Sequence, residues 1–417
     1  MPDFKDFPFK QTDDPVKDWE KNFSHDFGQS ERSSDGKGFI ICGGGMSGLS
    51  LAYYLQNSKL GNKPIFIIEP QEKNKNDRTW AFWEAEKGTF EDILYKKWNF
   101  INFRDASDKV QKLDIGDYQY KLLRGIDFYN FVIAELRKST NIHFIKDSVI
   151  SIQDSDEYAI VKTESGQTYH AEFVFDSTYK LKLNIPKNHN LLQHFKGLVI
   201  RTQKAVFDPT LTEMMDFGVE QFNECRFMYI LPFDEHTAIV EYTLFTEKLL
   251  EEKEYDVELK KYITKKLQIT DYEVIEDEFG IIPMSDEATN EFPSKHIVRI
   301  GTAGGYTNPA TGYTFQNTQK RLKAIVEQLE KTGSPVIKTS WFKKRFSFYA
   351  SVLLNVLEQK RLPAVDIFAR LFERNSASQI FKFLDCETNL WEEIKIMNTT
   401  KKIKFLAAGI DVIKRKV

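Results

Sequence analysis

Two glycine turns and a scatter of carboxylates are the residues in this sequence with the types and spacing for chemistry. Gly43-Gly44-Gly45-Met46-Ser47-Gly48 fits G-x-G-x-x-G. In that pattern Gly43 permits a tight turn, Gly45 lets a pyrophosphate approach the backbone, and Gly48 lets helix and strand pack closely. Met46 and Ser47 then open a helix whose free N–H groups and positive dipole end would receive the phosphates. Glu69 closes the next apolar run, where an acid binds an adenosine ribose through its hydroxyls and disfavours a 2′-phosphate. A second glycine turn, IGTAGG, carries Gly301, Thr302 and Gly304 and leads into another helix. Two-loop flavoproteins place such a loop by the ribityl chain and pyrophosphate of FAD; a nicotinamide dehydrogenase has no need of it. Arg124 stands at the mouth of a further helix, either to reach phosphate or ribityl oxygens or to form a surface ion pair.

The segment DRTWAFWE, Asp77 to Glu84, poses a different question. Trp80, Phe82 and Trp83 form either a buried aromatic plug or the wall of a pocket. Glu84 is then either an acid in that pocket or the ion-pair partner of Arg78 or a neighbouring lysine.

These residues need elements to hold them. Phe39 to Cys42 is a short apolar run, read as a buried strand, and Leu49, Ala52, Tyr53 and Leu55 follow at helical spacing. Pro64 to Pro70 is a second buried strand, so the glycine motif sits inside a βαβ unit. A helix from Phe128, short strands to residue 180, and alternating strands over 196–245 come next. From Trp341 onward nearly everything reads as helix. The pattern predicts an α/β protein: a Rossmann-type FAD-binding domain interleaved with an antiparallel β substrate domain, plus C-terminal helices. The expected division is an N-terminal arm at 1–36, a dinucleotide-binding part at 37–76, 121–180 and 294–335, a substrate part at 77–120 and 181–293, and a helical region at 336–417.

Bulk properties exclude other classes. The 417 residues are 41% hydrophobic with 34 phenylalanines, so global disorder is not expected and the aromatic excess points to either a large apolar cavity or a greasy surface. A net charge of −3 argues against a nucleic-acid binder. Three scattered cysteines without a leader-like N-terminus point to reduced thiols and a cytoplasmic setting. No metal-ligand cluster and no membrane-spanning run stands out. The sequence carries nothing on oligomeric state.

The glycine motif with Glu69, DRTWAFWE, LPFDEHTAIVEYT, GIIPM and IGTAGGYTNPATGYTFQNTQK run in order from residue 38 to about 325. Together they resemble the bacterial lycopene β-cyclases, membrane-associated flavoproteins of carotenoid synthesis. The resemblance implies cyclisation of the ψ end groups of lycopene to β-ionone rings, through γ-carotene to β-carotene, with no net redox change. It implies a requirement for reduced FAD, with NADPH as electron donor, and lycopene and other ψ-ended carotenoids as substrates. In this chemistry an acid protonates C2, the C1 cation is attacked by the C5=C6 bond, and loss of the C6 proton leaves the ring. Glu241 occupies the family's catalytic position, with Glu84 as a second candidate. Without the resemblance, Glu241 would read as a glutamate on the wet face of a strand. The family's acidic motif has a second carboxylate where this sequence has Tyr242. Trp80, Phe82, Trp83, Tyr242 and Tyr313 are expected to line the substrate pocket, where aromatic faces steady cations by about 0.5–2 kcal/mol each. Gly312 is expected to bring backbone amides to the flavin.

An insoluble substrate must be collected from a bilayer. In the tail, Ile403, Leu406, Ala407, Ile410 and Ile413 share a helical face fringed by lysines, and the stretch Trp341 to Leu357 is similar. Either could lie on an anionic membrane surface, making the protein peripheral, or cap the core. Two other readings remain open: an FAD-dependent monooxygenase or reductase acting on another lipophilic polyene, and a non-catalytic carotenoid- or flavin-binding membrane protein.

Overall fold

The computed structural model describes residues 38–180, 185–338 and 344–416. The arm expected at 1–36 and the start of the Trp341–Leu357 stretch lie outside the described residues.

The strand Phe39–Cys42 forms because all four residues are apolar and all four are buried. It pairs in parallel with Ile65–Ile68 on one side and Phe173–Asp176 on the other. Ile142–Ile145 and Ile297–Arg299 complete a five-stranded, all-parallel sheet. Such sheets are covered on both faces, which is why their strands read as unbroken apolar runs. Phe39 and Ile41 face the helices Met46–Gln56, Gly125–Leu136 and Phe315–Thr332. Ile40 and Cys42 face a three-stranded antiparallel sheet, Val149–Asp154, Ala159–Thr163 and Thr168–Ala171.

A seven-stranded sheet forms the second half. Its order is Tyr272–Ser285, Asn190–Thr202, Thr237–Thr246, Cys225–Pro232, Leu211–Asp216, Phe100–Arg104 and Val110–Leu113. One face packs on the helix Glu252–Lys261, with Val240, Tyr242 and Leu244 in that core. The other face turns toward a small sheet of Thr79–Glu84, Gln119–Arg124 and Lys96–Trp98. The boundary expected at 120/121 falls inside the strand Gln119–Arg124, which pairs with Thr79–Glu84 and Lys96–Trp98.

Five helices follow: Lys344–Glu358, Ala364–Arg374, Ala377–Leu384, Leu390–Asn398 and Lys402–Lys416. Leu354, Phe372, Phe381 and Ile396 join the core beneath the large sheet. The last helix is tied down by buried polar groups as well. His189 bridges Asp286 at 2.9 Å and Asn355 at 3.0 Å, and Asn355 and Arg361 both hold Asp411.

Candidate active site: a dinucleotide cradle and a carboxyl cavity

The two glycine turns, more than 250 positions apart in sequence, meet in space. Gly301 has φ +63°, and a Cβ there would lie 2.3 Å from the Ser47 Oγ. Gly304 follows in the same 3-10 turn, while Thr302 is exposed and shares a hydrogen bond with Thr307. Gly45 caps the helix Met46–Gln56 with no side-chain cap and no acid in the first turn, and a Cβ at Gly45 would meet nothing within 4 Å. Open space before an uncapped helix N-terminus is what a pyrophosphate requires. Gly44 N–H donates to Glu69 Oε2 at 2.7 Å, which ties the acid to the loop. Met46 is buried, its sulfur accepting from Gln319. Gly312, at φ +73°, brings the loop before Phe315–Thr332 against the large sheet, where its Cβ would strike Gln193 Oε1 at 2.1 Å. That oxygen is buried and has no hydrogen-bond partner. The cradle and this orphaned acceptor fit a long dinucleotide reaching from the glycine turns to the sheet.

Next to that loop the carboxyl of Glu241 enters a cavity of about 120 Å³ lined also by Gly197, Val199, Ile239, Thr79 and Glu278. Strand alternation puts Glu241 and Thr243 on the face turned to the small sheet, and Thr243 donates to Glu241 Oε1 at 2.6 Å. Tyr229 stands directly opposite Glu241 on the neighbouring strand, beside Tyr120 and Tyr313, whose hydroxyls are 3.3 Å apart. Trp83 packs on Tyr313 with ring centroids 4.2 Å apart. The Glu241 carboxyl is pushed up to about 8, chiefly by burial, with the Thr243 hydroxyl opposing the rise and the charge of Glu278 adding to it. Glu278 is pushed up to about 7 by burial, opposed by the Thr79 N–H and by Arg78. The site therefore holds carboxyl groups that keep protons near neutrality.

Four expectations need correction. Tyr242 is not in the pocket: alternation turns it to the opposite face, where its hydroxyl accepts from Arg226 and its ring meets Tyr255. Whatever residue stood at 242 would point away from Glu241, so the missing second carboxylate of the family motif leaves the cavity unchanged. Trp80 and Phe82 also face away from Glu241. Trp80 packs on Phe128 and Tyr129, and Phe82 stacks on Phe315, in the core of the dinucleotide half. Glu84, expected as a second acid, instead forms the ion pair with a lysine: Lys121 lies 2.9 Å away, and this nearly inaccessible lysine is shared with Glu91 at 2.6 Å. Arg124, expected at phosphate or ribityl oxygens, instead lines the carboxyl cavity, forks onto Asp127 at 2.7 and 2.8 Å, and lies 4.0 Å over the Tyr95 ring.

Sequence reasoning missed Glu278, Tyr229, Tyr120 and Gln193. Glu278 lies in EVIEDEFG, which looks like a solvated acidic strand; only its register against Gly197 brings it to Glu241. The two tyrosines lie on two different strands and carried no local signal.

The profile of the family described as lycopene cyclase protein matches residues 38–408. The chain belongs to the lycopene cyclase family. Among individual relatives, it is 24% identical over 315 residues to the chromoplastic capsanthin/capsorubin synthase of Citrus sinensis. That match covers 70% of this lycopene cyclase family chain but only 59% of the length of that relative. A flavoprotein/dehydrogenase from Cytophaga hutchinsonii superposes with a TM-score of 0.59 at 11% identity, covering 91% of this chain and 100% of that one. A geranylgeranyl bacteriochlorophyll reductase-like protein from Thermoplasma acidophilum gives 0.57 at 12%, covering 90% and 98%. A halogenase in complex with FAD gives 0.56 at 12%, covering 89% and 86%. Likeness at this identity speaks to architecture, and the architecture is that of the Rossmann-type FAD-binding fold with C-terminal helices.

Proposed function

We propose that this lycopene cyclase family member is a lycopene β-cyclase that closes ψ end groups by acid-initiated, non-redox cyclisation. The observation carrying this reading is Glu241: a carboxyl pushed up to about 8, at a cavity that Tyr95 and Phe233 also line, with Tyr229 opposite it on the neighbouring strand. An acid of that strength is still protonated at neutral pH and so able to protonate an alkene. Tyr313 and Tyr229, which stand beside Glu241, offer aromatic rings to the cation that follows, and Trp83 packs behind Tyr313. The reaction also requires that water be kept from the cation, which it would otherwise capture as an alcohol. FAD is assigned to the cradle of Gly43, Gly45, Ser47, Gly48, Glu69, Gly301 and Gly304, with Gln193 and Gly312 toward its ring. Bound in its reduced form, with NADPH as electron donor, it would supply negative charge next to a carbocation without net consumption of electrons.

A bilayer as substrate source accords with the last two helices. Lys402–Lys416 buries Ala408 and Val412 but leaves Ile403 82% and Leu406 67% exposed, with Ile410 and Ile413 more than half exposed. Trp391 on the preceding helix is 76% exposed, and Lys395, Lys401, Lys402 and Lys404 flank this surface. Lys344–Glu358, by contrast, buries Val352, Leu354 and Val356. The membrane-facing role is thus assigned to the tail and not to that helix. Among the described residues no helix is long and apolar enough to cross a membrane.

The test is expression in lycopene-accumulating bacteria followed by pigment analysis. Conversion to monocyclic or bicyclic β-ring carotenes is expected. Unchanged lycopene despite bound, reduced FAD would sink the proposal, and NADPH consumed in step with product would favour the monooxygenase or reductase reading.

A further inference from the structure

The strand Asn190–Thr202 runs between the strands of Glu241 and Glu278, and Gly197 is the register partner of both. Paired residues in antiparallel strands project to the same face. Strands lie about 4.8 Å apart, so the two glutamate Cα atoms stand about 10 Å apart. The residue between them has no side chain. A Cβ on Gly197 would come to 3.6 Å from the Glu241 Cβ, Cγ and Oε2. Both glutamates line the same cavity, with the absent side chain of Gly197 as the open floor between them.

Their surroundings differ. Glu241 accepts only the Thr243 hydroxyl among the hydrogen bonds of the described residues. Glu278 Oε1 accepts the Thr79 backbone N–H at 3.2 Å and feels the charge of Arg78, both of which favour an anion. The other charged or titratable groups on the cavity wall are Tyr95, Arg124, Arg201, Asp234, Glu276 and Asp277.

We propose that Glu278 is the base of the reaction, taking the C6 proton of the closing ring while Glu241 supplies the C2 proton; this rests on the cyclase reading above. The Glu241 O–H bond breaks as the C1=C2 pair forms the C2–H bond, which leaves the positive charge at C1. The C5=C6 pair closes the C1–C6 bond and leaves the positive charge at C5. The C6–H bond then breaks toward Glu278, and its electron pair restores C5=C6. Substrate and product are isomers, so no oxidant or reductant is consumed. One proton has passed from Glu241 to Glu278, and its return across the space above Gly197 resets the pair. Two nearby carboxyls sharing one proton divide acid and base roles in this way.

The experiment compares wild type, Glu278→Gln and Gly197→Val in lycopene-accumulating bacteria, with bound flavin measured for each. Glu278→Gln is expected to retain flavin and to lower β-ring formation about 100-fold or more. Rings that still form should carry the double bond elsewhere, or a hydroxyl, because the cation loses its proton to another acceptor or captures water. Gly197→Val keeps both carboxyls but fills the floor between them, and should divert products likewise; it decides the matter if Glu278→Gln loses flavin. Wild-type levels of β rings in either flavin-loaded variant overturn the role of Glu278. Absence of any ring in the wild type would instead overturn the cyclase reading itself.

Discussion

Glu241 and Glu84 are both strand glutamates beside aromatic residues, and the sequence offers each as an acid. The structure treats them oppositely. Around Glu84 a cation is buried with the acids: Lys121, 1% exposed, is clasped by Glu84, Glu91 and the Glu86 carbonyl. There the Glu91 carboxyl, despite some desolvation, is held below the ordinary carboxylate range by Lys121 and Lys97. At Glu241 the hydrogen bond is from the Thr243 hydroxyl, and among the described residues no salt bridge to this carboxyl is formed; the cavity's Arg124 is forked onto Asp127. Burial alone then favours the neutral acid. What separates a structural ion pair from a proton donor is therefore whether a positive charge was buried alongside it.

The largest expected difference is in turnover. Glu241→Gln should lower cyclisation by about 10²–10⁴-fold while flavin stays bound, whereas Glu84→Gln should keep cyclisation and lose stability. Pigment yields at matched expression check both, and equal losses at the two sites would erase the contrast. In stability, the Glu241 carboxyl lies at about 8 when folded, against 4.5 ordinarily. Below about pH 4.5 both states hold the proton and nothing is lost. As pH rises through 8 the unfolded chain releases the proton first, so stability falls, by roughly 5 kcal/mol in all. Urea unfolding at pH 5 and pH 8 should show that fall reduced in Glu241→Gln. An unchanged fall would place the acid elsewhere. Removing the buried cation tests the other cluster: Lys121→Met should cost about 3 kcal/mol, because two carboxylates lose their partner. A chain melting at the wild-type temperature would contradict it. The smallest effect belongs to the far face of the same strand. Tyr242→Phe loses the bond from Arg226, about 1 kcal/mol, and should leave carotene products unchanged; altered ring formation would return Tyr242 to the pocket.

Much of the dinucleotide half was legible because its signals are local. An apolar run, a glycine turn, a helix and an acid 24 positions after Gly45 all lie within one βαβ unit, and each constrains its neighbours through the backbone. Glu241 was legible only through resemblance, and DRTWAFWE only in part. Its composition suggested one wall, but period-two alternation divides it: Trp83 turns to the substrate sheet, while Trp80, Phe82 and Glu84 turn to the other side. Glu278 was not legible at all. Nothing in an acidic strand announces which of its carboxylates faces inward until register against Gly197 is set.

By itself, then, the sequence determined the elements and the cradle, since turn geometry, helix periodicity and buried-strand composition act over a few residues. Only the tertiary structure decided the chemistry of the acids. Whether a carboxyl is charged depends on what lies within a few ångströms of it, and those neighbours come from strands whose pairing no short stretch of sequence contains.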